Sequence, residues 1–134
     1  MYKGDDELEM LDVRIPATKN TPEIILDPTG MVKIAGRSIH ENAADFYEPM
    51  LNWFDEYITD PADITHIDIS LEYFNSASAK YIVLLLQKVS YVTLKHKRFI
   101  VNWFYEEGDD DILERGEYFS SVLDVSFNFI EISQ

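Results

Sequence analysis

Where an alternating apolar stretch gives way to a helical one, the chain reads Glu-Tyr-Phe-Asn-Ser-Ala-Ser-Ala-Lys from Glu72 to Lys80. Asn75, Ser76 and Ser78 place one amide and two hydroxyls at that junction. Three chemistries use such groups there: a helix cap, a serine nucleophile, and an acceptor for a phosphoryl group delivered by another enzyme. A cap needs only a side-chain oxygen facing an unpaired N–H of the first turn, a contribution of about 1 kcal/mol. A nucleophile needs a sharp G-x-S-x-G turn and a histidine base. Here Asn75 and Ala77 flank Ser76, and the three histidines, His40, His66 and His96, fall at a helix start, in a strand and in a basic turn. That distribution argues against serine hydrolase chemistry. A phosphoryl acceptor is physically well served, because a helix N-terminus offers free N–H groups and a partial positive charge. A phosphate of about −1.5 to −2 charge there would alter the surface and leave the core untouched. On residue chemistry alone the cap is the plainer reading.

A second group with chemical potential is the run Glu106, Glu107, Asp109, Asp110 and Asp111. Oxygen ligands suit magnesium or calcium, and a metal-dependent enzyme using residues 106–111 is the alternative function. Yet the run lacks the spacing and bidentate Glu of an EF-hand, and acids in a first helical turn complement the macrodipole. None of the five glycines forms a phosphate-cradling motif, so no cofactor is expected and no metal site is assigned. The absence of cysteine rules out disulfides and thiolate chemistry.

Net charge narrows the partners. With 25 acidic against 11 basic residues, the formal charge is −14, which disfavours a grip on nucleic-acid phosphates. Lys95, His96, Lys97 and Arg98 form the one dense basic cluster, which reads as a solvated turn able to face an acidic partner. Residues 1–9 carry four acids and little to bury, and are expected to be a flexible acidic tail. They lack the apolar stretch of a secretory signal, and the longest apolar run, Tyr81 to Leu86, is too short to span a bilayer. No membrane insertion and a cytoplasmic location are the expectations.

The elements that must position the Asn-Ser-Ala-Ser junction follow from periodicity. At 134 residues and 46% hydrophobic content, the chain suits one core. Leu11–Ile15 suggests a short strand, and 23–26 with 31–34 a hairpin across Asp27-Pro28-Thr29-Gly30. Phe46, Tyr47, Met50, Phe54, Tyr57 and Ile58 recur at helical spacing over 41–58, with Pro49 predicting a kink or a later start. Gly36, Arg37, Ser38 and Ile39 are expected to join strand to helix. Ile67, Ile69, Leu71 and Tyr73 alternate in a strand over 64–74, and Ser78, Ile82, Leu85, Leu86 and Val89 continue as a helix. A strand at 99–105, a helix over 108–123 with Ile112, Leu113, Tyr118, Phe119 and Val122 on one phase, and a strand at 126–132 complete the order. Alternation of strands and helices predicts an α/β fold, with a mixed sheet of about five or six strands packed against helices. Functional groups in such sheets collect beyond the carboxyl ends of the strands, where Glu72–Ser78 lies. The conspicuous aromatics Trp53, Phe54, Tyr57, Trp103, Phe104 and Tyr105 are first expected to be core.

Three segments, GRSIHENAADFYEPMLNWFDEYI, LEYFNSASAK and VNWFYEEGDDDILERGEYF, together resemble the SiaC family of bacterial regulatory phosphoproteins. The resemblance runs from about Ile15 to Ile130 and implies a STAS-like single domain, here spanning 10–134. It also implies a non-enzymatic partner switch, with no catalytic residue of its own. In that family a histidine-kinase-like protein acts as the Ser/Thr kinase and a PP2C-type phosphatase reverses it. The unphosphorylated form binds and activates a diguanylate cyclase, linking the switch to cyclic di-GMP and biofilm formation. By position, the family's phosphorylated threonine, within Asn-Thr-Ser-Ser, corresponds to Ser76 after Asn75. This chain departs in having Ser for Thr at 76 and Ala77 for the following Ser, which leaves Ser78 as the alternative acceptor. Ser76 is favoured because it stands at the helix mouth, whereas Ser78 falls on the apolar phase and is expected to pack inward. Glu72, Asn75, Ala77 and Arg37 are the expected partner-binding residues. A structural adaptor that is never phosphorylated is the remaining alternative.

Overall fold

The computed structural model describes residues 10–133; the expected tail at 1–9 lies outside them. Six strands, β1 (Val13–Ile15), β2 (Glu23–Asp27), β3 (Met31–Ser38), β4 (Ile64–Phe74), β5 (Arg98–Glu106) and β6 (Phe127–Ile132), form one sheet in sequential order. The first three pair antiparallel and the last four parallel, so the sheet is mixed. Three α-helices, α1 (Ala43–Tyr57), α2 (Ser76–Ser90) and α3 (Asp110–Leu123), make the crossovers between β3 and β6. Each crossover advances one strand in the same direction. Right-handed connections then place all three helices on one face, and the contacts agree: Tyr57 meets Thr65, Ser78 meets Ser38, and Phe119 packs on Trp103.

The two-residue period of the sheet divides it accordingly. Ile24, Leu26, Val32, Ile34, Ile67, Ile69, Leu71, Val101 and Trp103 are buried beneath the helices. Lys33, His66, Asp68, Asn102 and Asn128 alternate onto the other face, where Asn102 donates to Asp68 at 2.9 Å.

Several local expectations are corrected. Arg37 and Ser38 belong to β3, which runs past Gly36 through a bulge between Gly36 and Arg37 that carries the strand to the end of β4. Gly36 has φ 117°, a conformation open to glycine, so a residue that resembles a linker permits the strand to continue. Helix α1 begins at Ala43, two residues later than the periodicity suggests, and runs unbroken through Pro49. Pro49 and the Asp45 whose carbonyl it deprives of a donor are both exposed, so the missing bond falls on the solvent side of the helix, where it costs least. In α3 the inward residues are Ile112, Gly116 and Phe119, while Tyr118 and Val122 are exposed. Gly116 sits against the Trp103 ring so closely that an added Cβ would approach it to 2.5 Å. Trp53, Phe104 and Tyr105 are half-buried, unlike fully buried Phe54, Tyr57 and Trp103.

Candidate functional site

Strand β4 delivers the chain to the helix-side layer at Phe74, which is fully buried, and the next residue must turn out of the sheet. Asn75 makes that turn with extended backbone, φ −86° and ψ 175°, and its Oδ1 accepts from Ser78 N at 2.9 Å. Asn75 therefore supplies the cap. Its own N–H donates to the Ser38 carbonyl at 3.1 Å, tying the turn to the end of β3. With the cap filled by Asn75, the Ser76 hydroxyl is not required for it. Ser76 and Ala77 occupy the first two helical positions and are both exposed.

Ser78, one helical step further round, is fully buried as its apolar phase predicts. Ser38 Oγ donates to Ser78 Oγ at 2.8 Å and lies 2.6 Å from Tyr47 Oη. This chain of hydroxyls links β3, α1 and α2 beneath the junction. It solves an accounting problem, since each buried hydroxyl without a partner would cost about 1–3 kcal/mol. Burial pushes the Tyr47 phenol up to about 12, with the hydrogen bond to Ser38 pulling the other way. Tyr47 also stacks on Tyr81 of α2, with centroids 5.8 Å apart. The junction is thus rigidly held from below while Ser76 is offered above.

The other expected partner-binding residues surround the same end of the sheet. Arg37 pairs with Tyr73 in the parallel register, Glu72 lies beside that pair, and both Arg37 and Glu72 are exposed. Asn75 is half-buried by its capping role. Glu72, Glu106 and Asp109 line a groove of about 240 Å³ on the open sheet face, with Ala35, Ser70 and Phe104 as its floor.

The acidic run does not converge into a metal centre. Asp109 caps α3, its Oδ1 accepting from Ile112 N at 3.1 Å, and Asp110 and Asp111 are exposed in the first turn. Among the described residues no three carboxylate, imidazole or thiol groups are grouped to hold a metal. The histidines are also scattered: His40 accepts from Asn42 N at the start of α1, His66 lies in β4, and His96 is left-handed at φ 62°. His96 ends a single 3-10 turn, Tyr91–Lys95, and neighbouring Lys97 is paired with Asp63 at 2.7 Å. The hydrogen bond and charge of each hold the Asp63 carboxyl below its usual range and raise Lys97. The basic cluster is therefore a solvated turn, as its sequence suggests. No described helix is long and apolar enough to cross a membrane.

One residue near the junction has no counterpart in the sequence reading. Arg115, from α3, donates from Nη1 to the Phe74 carbonyl at 2.8 Å, and its guanidinium carbon lies 3.8 Å from the Phe74 ring centroid. The available signal is that Arg115 is the sole basic residue of α3, amid four acids.

The class defined by this geometry is a small α/β domain, helices on one face, that presents a hydroxyl at a strand-to-helix turn. A family model described as SiaC family regulatory phosphoprotein matches residues 15–132. The chain belongs to that family. A relative from Pseudomonas aeruginosa strain UCBPP-PA14, named only as an uncharacterized protein, is 26% identical over 121 residues, 90% of this chain and 94% of its own length. Apo-SiaC from Pseudomonas aeruginosa superposes with a TM-score of 0.79 at 26% identity, covering 91% of this chain and 98% of that one. SiaC in complex with the diguanylate cyclase SiaD, from the same organism and described as its activator, gives a TM-score of 0.79 at 25% identity, covering 92% of this chain and 100% of that one.

Proposed function

We propose that this protein is a non-enzymatic partner switch whose unphosphorylated form binds and controls a diguanylate cyclase. Ser76 accepts a phosphoryl group from a histidine-kinase-like Ser/Thr kinase, and a PP2C-type phosphatase removes it. The setting is cytoplasmic signalling through cyclic di-GMP, with biofilm formation as an output. Membership of the regulatory family and the likeness to a cyclase activator support the class of function. The observation that carries the choice of residue is the division of labour at the junction: Asn75 caps, Ser78 is buried, and Ser76 is exposed with no structural duty.

Chemically, the switch works through charge and bulk. A dianionic group at the first position of α2 would meet orphan N–H donors of that turn and would face any partner docked over Ala77, Glu72 and Arg37. A partner pocket shaped for a neutral hydroxyl loses affinity, and no rearrangement of the fold is needed. Glu72 contributes like-charge repulsion near the modified residue, and Arg37 an exposed cation for the partner.

The test is incubation with the cognate kinase and ATP, read by intact mass and site mapping. The wild-type chain and Ser78→Ala gain one phosphoryl group, and Ser76→Ala gains none. Retention of the gain in Ser76→Ala would overturn the assignment, and a cyclase indifferent to the phosphorylated form would overturn the switch.

A further inference from the structure

We propose that Arg115 is the positioning residue that receives the phosphoryl group at position 76 and holds it against α3, an inference that rests on the reading of Ser76 as acceptor. The starting observation is a cation in an unusual place. In a chain of net charge −14, the Arg115 guanidinium forms no ion pair within 4.0 Å among the described residues and docks on a main-chain carbonyl and an aromatic face. That carbonyl belongs to Phe74, two residues before Ser76 and immediately before the cap. Phe74 is fully buried, so the ring and carbonyl that fix the guanidinium do not move with the surface.

An arginine carries five N–H donors in a planar fork, and the Phe74 carbonyl takes a single one of them. The remaining donors match the oxygens of a phosphate, which arginine binds bidentately and with charge assistance. Ser76 itself makes no demand on Arg115, because its hydroxyl is neutral. The interaction arises only when the charge does. The consequence is a clamp between the first turn of α2 and the middle of α3. A phosphate so held is fixed in direction, so the surface offered to a partner changes in shape as well as in sign, and a phosphatase must draw the group off the guanidinium before hydrolysis.

The test uses the full chain with phosphoserine installed at position 76 by codon expansion, which does not depend on any kinase. Phosphorus NMR reads the second ionisation of the phosphate in the wild-type background, in Arg115→Gln, in Arg115→Lys and in Arg37→Gln. A neighbouring cation favours the dianion, so the wild-type midpoint is expected on the order of half a unit or more below that of Arg115→Gln. Arg115→Lys is expected in between, since lysine restores the charge without the fork. Gln keeps a donor for the Phe74 carbonyl, and thermal melts of the unphosphorylated variants check that the fold survives. Equal midpoints in wild type and Arg115→Gln overturn the proposal, as does a shift lost in Arg37→Gln instead. A kinase that phosphorylates elsewhere, with the shift at installed phosphoserine intact, would sink the acceptor assignment and leave the clamp standing.

Discussion

Replacing Tyr47 by Phe removes one oxygen from the buried chain under the junction and has a consequence that reverses with pH. At neutral pH the wild-type phenol lies 2.6 Å from Ser38 Oγ, and its loss leaves Ser38 with Ser78 alone at 2.8 Å. One buried neutral hydrogen bond is worth about 1 kcal/mol, so Tyr47→Phe is expected to be less stable by about that amount. Alkali acts the other way. Burial raises the phenol from 10.0 in the unfolded chain to about 12 in the folded one. Below pH 10 both states are protonated and nothing is lost. Between pH 10 and about 12 the unfolded phenol ionises while the folded one keeps its proton, so stability falls as pH rises, by a total on the order of 3 kcal/mol. Tyr47→Phe has no such loss at this position, and every other titrating group is common to both proteins. The stability curves should therefore approach each other above pH 10 and cross before about pH 11, once the phenol has forfeited the roughly 1 kcal/mol that its hydrogen bond contributes. Urea unfolding of both proteins at pH 8, 10 and 11, followed by fluorescence of Trp53 and Trp103, reads the difference directly. A gap that stays constant over that range would refute the claim that Tyr47 is buried as a neutral phenol.

Gly116→Ala forces a Cβ into the Trp103 ring, whose own N–H donates to the Ile112 carbonyl at 3.0 Å and so resists displacement; a loss of about 1–3 kcal/mol in chemical denaturation is expected. Asn75→Ala removes the cap on Ser78 N and should cost about 1 kcal/mol, with faster amide exchange confined to the first turn of α2. Ser76→Ala, by contrast, touches an exposed side chain without a capping duty and should change stability by less than about 0.5 kcal/mol, so any loss of partner control in that variant is not a folding effect.

The order of elements was legible because each signal was local. The alternation of Ile67, Ile69 and Leu71 and the phase of Ser78, Ile82, Leu85 and Val89 report burial on one face, which is what β4 and α2 realise. The same phase argument found Ser78 inside and left Ser76 out. It failed where tertiary contacts override the pattern. Tyr118 and Val122 share the apolar phase of α3, yet that helix approaches the sheet through Gly116, and the close contact with Trp103 turns the neighbouring large residues to the rim. A glycine in a helix reads as a weak point in sequence, and only the partner ring shows that it is a contact. Arg37 and Ser38 likewise resemble a linker because Gly36 precedes them, and the parallel partner Tyr73 and Phe74 is what makes them strand. Ser38 as the partner of Ser78, 40 positions away, has no local signature at all, nor has Tyr47 as the partner of Ser38; the 2.8 Å and 2.6 Å contacts exist because β3, α1 and α2 converge at one end of the sheet.

That convergence also explains why the junction tolerates its departures from the family pattern. At the first helical position a side chain packs against nothing, so serine in place of threonine at 76 removes a methyl group from solvent and leaves the core unaffected. At position 77 alanine is exposed as well, and its lack of a hydroxyl leaves Ser76 as the sole exposed hydroxyl on the first turn of α2. Position 75 has less latitude, because its side-chain oxygen caps Ser78 N, a duty that only Asn, Asp, Ser or Thr fills well, and its backbone N–H, which proline would lack, donates to the Ser38 carbonyl. Position 78 has less still, since a larger or charged group would have to displace Ser38 and Tyr47 from a fully buried site. In the proposed switch, variation is therefore expected at 76 between hydroxyl residues and at 77 freely. A screen of all substitutions at 75–78 for stability should show tolerance at 76 and 77, a loss of about 1 kcal/mol at 75 for residues that cannot cap, and the largest loss at 78. Equal tolerance at all four positions would mean that the hydrogen-bonded base under the turn does not determine how Ser76 is held.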